Sequence, residues 1–114
     1  VRFIDALSDF PELKFHCEDS KRHNYHLLAA QMDNGRRDDF MKEMSEDKGI
    51  QCVVQYRPLY RYDLYKKIRQ GDANCPNTDH FFDNMVSFPF HHMMAEDDFF
   101  YLLESTKEVL ARLR

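Results

Sequence analysis

The stretch Gly49–Tyr65 reads GIQCVVQYRPLYRYDLY and sets a helix end, an apolar strand and an aromatic loop in series. Gly49 follows a helical pattern closed by Lys48, where a residue that tolerates positive φ ends the helix. Beyond it Ile50, Cys52, Val54 and Tyr56 fall on one side of an alternation, and Gln51, Val53 and Gln55 on the other. That pattern predicts a strand with one apolar face, buried at the centre of a sheet. Pro58 cannot donate to a ladder and biases Arg57 toward extended backbone, so the strand ends there. Arg57, Leu59, Tyr60 and Arg61 then lie on a loop at its C-terminal end, a common place for binding residues.

Upstream, Phe3, Ile4, Leu7 and Phe10 have helical spacing before Pro11, which predicts a short helix over residues 1–10. Leu13, Phe15 and Cys17 alternate with Lys14 and His16 as an edge strand does. A polar turn over Glu18–Arg22 follows, and then a segment from His23 to Met32 that is apolar on both faces from Tyr25, the mark of a central strand. Asp33-Asn34-Gly35 is a turn, and Asp38 and Asp39 open a helix with a buried stripe of Phe40, Met41 and Met44 running to Lys48. Downstream of the loop, Tyr62–Arg69 predicts a short helix ended by Gly71, and Asp72–Pro76 a polar connection. Thr78 is placed to cap a helical turn containing Phe81, Phe82 and Met85. Val86, Phe88 and Phe90 alternate around Ser87 and Pro89 as a short edge strand. The last helix spans Glu96–Arg112, with Phe99, Leu102, Leu103, Thr106, Leu110 and Leu113 at helical spacing. The sum is an α+β chain, a small, mainly antiparallel sheet covered by two or three helices.

A chain of 114 residues fits one domain. Its formal net charge of −4 is spread without a basic face, which excludes a nucleic-acid binder, and no apolar run reaches the roughly 20 residues of a membrane span. Cys17, Cys52 and Cys75 are odd in number and lack C-x-x-C spacing. They suggest neither a disulfide framework nor a zinc knuckle, and the expected location is the reducing cytoplasm. Val1 is not an initiator methionine and no signal-peptide pattern follows it, so a fragment or a processed chain is expected rather than a natural start.

Written GI-x-x-V-x-x-Y-x-P-L-x-x-x-x-x-Y, residues 49–65 resemble the C-terminal domain of the DegT/DnrJ/EryC1/StrS family, pyridoxal phosphate (PLP) dependent aminotransferases of nucleotide-linked keto-sugars. Cys75-Pro76, Val86-Ser87-Phe88-Pro89-Phe90 and Glu96-Asp97-Asp98 follow in the order of the family's Cys-Pro loop, Leu-Pro strand end and acidic helix start. The resemblance runs from Leu13 to Leu113. It implies the small domain of a fold-type I PLP-dependent transferase, with residues 1–114 as a single C-terminal domain whose large PLP-binding domain lies elsewhere. The parent enzyme would use PLP, an amino-acid donor and a nucleotide-linked keto-sugar, and this domain would pack against its own large domain and a homodimer partner. Lysine, pyridine-nitrogen partner and phosphate cradle all belong to the large domain, so the resemblance implies that no catalytic residue lies on this chain, that no cofactor is bound by it, and that it is inactive alone. The first helix, the tail of an interdomain helix in the family, would then expose Phe3 and Phe10 as a severed contact. Ala95 departs from the serine or threonine usual before the last helix.

Gln55, Tyr56, Arg57 and Tyr60 are the substrate-binding candidates. Phenol hydroxyls donate to sugar hydroxyls or phosphate oxygens, and the guanidinium forks of Arg57 and Arg61 match phosphate. The plainer reading of the tyrosines is packing, and of the arginines a solvated surface. Many family members carry histidines at the positions of Gln55 and Tyr60, in a V-H-Y-x-P-L-H pattern; neither residue present here titrates near neutrality. His91 and His92 next to His80 or Cys75 do not suggest a metal site, because adjacent residues on an extended segment point opposite ways. Asp97 and Asp98 are acids of a first helical turn, and Cys52 is a small buried hydrophobe. The alternative to the aminotransferase reading is a stand-alone α+β module that binds a ligand or a protein through the aromatic loop.

Overall fold

In the computed structural model, residues 1–16, 24–68 and 73–114 are described. Helix α1 (Arg2–Ala6) leads into strand β1 (Leu13–Phe15), then β2 (Leu28–Met32), helix α2 (Arg37–Glu46), a 3-10 turn at Leu59–Arg61, α3 (Asp63–Lys67), α4 (Pro76–Asn84), β3 (Met85–Phe88) and α5 (Glu96–Arg112). The strands form one antiparallel sheet in the order β1-β2-β3, so the chain is α+β as its pattern predicts. Leu13 pairs with Met32, Phe15 and Val86 with Ala30, and Phe88 with Leu28, which brings these side chains to one face. Against that face lie Phe3 and Leu7 of the N-terminal segment, Phe40 and Met44 of α2, and Leu102, Leu103, Val109 and Leu110 of α5. Phe88 is at the centre, with ring contacts to Phe3 at 5.2 Å and Phe40 at 5.9 Å.

Helix α5 spans the predicted residues, and its N-cap is Ala95, whose side chain makes no capping bond. Gly49, at φ 66°, returns its N–H to Ser45 at 3.1 Å and ends the α2 region as expected. Three expectations need correction. The first helix is only five residues long, and Phe3 is 4 % exposed inside the core rather than a severed surface contact. Phe10 is half-buried under the Arg114 guanidinium, 4.7 Å from its ring centroid. Second, residues 50–56 are not a central strand. They meet the sheet through one bridge, Val53 to Ser87, with bonds of 3.0 and 2.8 Å at the free edge of β3. The ladder stops because the next inward N–H, that of Gln55, is spent on the Met85 sulfur at 3.2 Å instead of a carbonyl. Ile50 and Cys52 are buried as the alternation predicts, Val54 is half-buried, and Tyr56 is 72 % exposed.

Third, α4 is capped by Cys75 with Pro76 in its first turn, not by Thr78. Met85 leaves the helix to open β3, whose four residues are all buried, and Phe90 lies beyond the strand. Strand β2 starts at Leu28, later than expected, and β1 ends at Phe15. The turn over residues 18–22, Cys17 and the helix-ending Gly71 lie outside the described residues. No helix among the described residues is long and apolar enough to cross a membrane.

Candidate functional site

Pro58 starts the loop at φ −55°, and the 3-10 turn Leu59–Arg61 folds it back toward α4. The chain then bonds across this turn, Arg61 N–H to the Pro58 carbonyl at 3.0 Å and Tyr62 N–H to that of Leu59 at 3.1 Å. Local bonds of this kind hold a turn only weakly, so side chains must fix its position.

Two acids on α4 do so. Asp79 and Asp83 are one helical turn apart and therefore share a face. Asp79 Oδ1 accepts the Tyr60 hydroxyl at 2.7 Å and Arg61 Nε at 2.9 Å, while Arg61 Nη1 and Nη2 reach the two Asp83 oxygens at 2.8 and 3.3 Å. The Cys75 carbonyl is a second, longer acceptor for Tyr60, at 3.3 Å. The Arg61 guanidinium also lies over the Phe82 ring, 5.1 Å from its centroid. A fork-to-fork pair adds geometric definition beyond its charge. Electrostatics agree: desolvation of its phenol, reinforced by the anionic Asp79, pushes Tyr60 up to about 12, Asp83 and Asp79 hold Arg61 charged, and Arg61 draws Asp83 below the usual carboxylate range.

Of the four sequence-derived candidates, Tyr60 is thus turned toward α4, and Gln55, Tyr56 and Arg57 remain at the surface side of the loop. Arg57 is exposed; its Nη2 donates to the Arg61 carbonyl at 3.1 Å and its guanidinium lies 5.6 Å from the Tyr62 ring centroid. No carboxylate among the described residues pairs with it, so its charge is free to meet an anion. Arg61, the other candidate for a phosphate clamp, is occupied by Asp79 and Asp83 and does not share that freedom. Gln55 Nε2 lies 3.4 Å from the Tyr56 hydroxyl, at the long limit of a hydrogen bond. The residues that sequence reasoning missed are Asp79 and Asp83. Their signal was an acid pair at i and i+4 on a helix facing a loop with two arginines.

An apolar hollow lies elsewhere, about 400 Å3 between Phe3, Leu28, Phe90, Met94 and Phe99, with the Arg2–Glu96 ion pair of 3.0 Å at its rim. His91, His92, Asp97 and Asp98 are exposed, and among the described residues no three His, Cys, Asp or Glu side chains are placed to hold a metal ion. Burial alone pushes the Cys52 thiol up to about 12.

The sequence profile of the DegT/DnrJ/EryC1/StrS aminotransferase family matches residues 2–107. A UDP-4-amino-4,6-dideoxy-N-acetyl-beta-L-altrosamine transaminase of Campylobacter jejuni is 28% identical over 96 residues, which are 78% of this chain and 25% of that protein. Among solved structures, the aminotransferase TlmJ of Streptoalloteichus hindustanus superposes with a TM-score of 0.85 at 20% identity, covering 99% of this chain and 30% of TlmJ. NtdA of Bacillus subtilis, with bound cofactor PMP, gives 0.84 at 19% identity over 96% of this chain and 26% of its own. These likenesses show a shared fold, and the chain spans about a quarter of the length of the curated relatives it matches.

The described lysines do not fit covalent attachment of PLP, which needs a desolvated amine of lowered pKa. Lys48 Nζ sits 2.7 Å from Glu108 and 3.5 Å from Asp47, and its pKa is raised chiefly by the bond to Glu108. Lys14 is paired with Asp33 at 2.9 Å, Lys107 with Glu104 at 3.4 Å, and Lys42, Lys66 and Lys67 are exposed.

Proposed function

The chain belongs to the DegT/DnrJ/EryC1/StrS aminotransferase family, and on that footing we propose that it is the small C-terminal domain of a PLP-dependent enzyme that moves an amino group from an amino-acid donor to a nucleotide-linked keto-sugar. The observation that carries this reading is the family match over nearly the whole chain, on a fold that fills about a quarter of such an enzyme. The large domain of the parent would supply PLP and its lysine. PLP is an electron sink that lets an amino group pass between two carbon skeletons; the protein contributes binding and orientation.

On this reading the braced loop forms one wall of the substrate cleft. Arg57, paired with no carboxylate among the described residues, meets the diphosphate, and Tyr56 and Gln55 offer a phenol and an amide to hydroxyls beside it. Tyr60 contributes from behind, by tying the loop to Asp79. The exposed Leu59, Leu64 and Ile68 give this side of the domain an apolar surface for the rest of the enzyme to cover, along with a homodimer partner. A cytoplasmic site of action fits the free thiols of Cys52 and Cys75.

The test joins two measurements. The reading frame upstream of Val1 should continue into a lysine-bearing domain, and the longer product should transfer an amino group to a UDP-linked 4-keto-sugar. Arg57→Ala in that product should raise KM for the sugar nucleotide by roughly 10- to 100-fold, the worth of one charged hydrogen-bonding contact. If instead the 114 residues alone, mixed with PLP and reduced with borohydride, gain one site-specific adduct and transaminate, the domain reading fails. A start codon directly before Val1 favours the stand-alone binding module.

A further inference from the structure

Behind the loop, a second hollow of about 230 Å3 lies between the end of the chain leading into β2, the bridged segment 51–55 and the turn after β3. His26, Gln51 and Gln55 supply its polar lining, and Phe88, Pro89 and Phe90 its apolar wall. The side chains of His26 and Gln51 make no hydrogen bond to another described residue, and Gln55 makes only the long contact to Tyr56. Gln51 and Gln55 share one side of an extended segment because they are an even number of residues apart. The single bridge of Val53 to Ser87, between them in sequence, fixes that segment to the sheet.

The lining selects a ligand class. Among the described residues no lysine or arginine lines the hollow, so none of them offers a phosphate a counter-charge there. The volume is below the about 300–1,000 Å3 of sites that enclose drug-sized ligands, so a nucleoside does not fit inside while a single sugar ring does. Two carboxamides and an imidazole offer both donors and acceptors without fixed charge, which matches vicinal hydroxyls that donate and accept. Phe90, 48 % exposed beside Pro89, presents an apolar surface to the C–H face of such a ring.

We infer that this hollow seats the hexose ring of a sugar nucleotide, with His26 and Gln51 as specificity-determining residues beside Gln55, and with Arg57, two residues further along the loop, on the diphosphate. The inference rests on the sugar-aminotransferase reading for its choice of ligand, and on the hollow's lining for its location. Gln55 marks the boundary between the two halves of the ligand. His26 and Gln51 read sugar hydroxyls and do not touch the nucleotide, so they discriminate among sugars and leave affinity for UDP unchanged.

The experiment is a nuclear magnetic resonance titration of the isotope-labelled 114-residue chain with N-acetylglucosamine, UDP-N-acetylglucosamine and UDP as separate probes. The side-chain amide signal of Gln51 and the His26 ring signals should move with both sugar-bearing probes and stay in place with UDP. Gln51→Ala and His26→Ala should each weaken UDP-N-acetylglucosamine binding roughly threefold to tenfold, the worth of a neutral hydrogen bond, with UDP binding intact. Both residues are exposed, and the dispersion of the amide spectrum verifies that the variants remain folded. Unmoved His26 and Gln51 signals at millimolar sugar, or equal movement with UDP, overturn the inference. Amino transfer by the longer enzyme with those signals unmoved leaves the aminotransferase reading standing alone. Sugar-specific movement without amino transfer does the reverse.

Discussion

The Tyr60 hydroxyl donates to Asp79 at 2.7 Å, and the same carboxylate oxygen accepts Arg61 Nε at 2.9 Å, so one acid on α4 holds two successive residues of the loop. The loop is therefore positioned by a helix 18 or more residues further along the chain, and its exposed members Tyr56 and Arg57 are presented from a fixed base.

Titration should reveal this contact. Tyr60 is displaced from the ordinary phenol value of 10 up to about 12, first by burial and then by Asp79. A raised value means that the folded state holds the proton more tightly than the unfolded chain. The stabilisation is complete below pH 10 and is lost as pH rises from 10 toward 12. Ultraviolet titration should show one late-ionising tyrosine that disappears in Tyr60→Phe and moves to lower pH, without reaching 10, in Asp79→Asn. An unchanged profile in Asp79→Asn would mean that the contact does not form in solution.

The core should respond unequally to two substitutions that the alternation alone would rank together. Phe40 is 0 % exposed and packs on Phe88, so Phe40→Ala should cost about 3–5 kcal/mol in urea unfolding. Val54 is half-buried on a segment held by one bridge, and Val54→Ala should cost about 1 kcal/mol. Equal losses would place residues 50–56 within the sheet after all.

That contrast shows what was legible. The periodicity of α5, repeated over 17 residues, matched its span because each turn restates the same apolar face. Residues 50–56 carry a strand's alternation too, but alternation reports which side chains are buried and not which backbone groups find a partner. Ile50 and Cys52 are buried as read, yet the ladder ends after Val53 because Gln55 N–H turns to the Met85 sulfur. Tyr60 and Arg61 could be picked as polar loop residues, but their capture by Asp79 and Asp83 joins positions 18 to 22 apart, which no local pattern encodes.

The cysteines should separate by environment. Cys52 is buried and its thiol is pushed from 9.0 up to about 12, whereas Cys75 is half-exposed at the start of α4. The thiolate is the reactive form, so iodoacetamide at pH 8 should modify Cys75 and leave Cys52 intact in the folded chain. Peptide mapping by mass spectrometry reads the result. Equal labelling of both before unfolding would show that segment 50–56 detaches readily.

The start of α5 offers a gain in stability. Ala95 occupies the N-cap with extended backbone, φ −67° and ψ 152°, the conformation in which a serine side chain can accept an N–H of the first turn. Its methyl group accepts nothing. Glu96, Asp97 and Asp98 complement the helix dipole at this end, but a charge near the terminus does not replace a directed bond to a free N–H. Ala95→Ser should therefore stabilise the chain by about 1 kcal/mol, which raises Tm by roughly 4–8 °C in a domain near this size. Ala95→Asp should gain less, because a fourth carboxylate joins three in sequence and their repulsion opposes the cap. Glu96 is tied to Arg2 at 3.0 Å and so relieves only part of that repulsion. The order serine above aspartate above alanine in thermal melts at low salt is the expected outcome. If salt closes the gap between serine and aspartate while both stay above alanine, the cap and the charge act as separate contributions. If serine gains nothing, the first turn of α5 is already satisfied by another acceptor, and the helix end is held by contacts other than a cap.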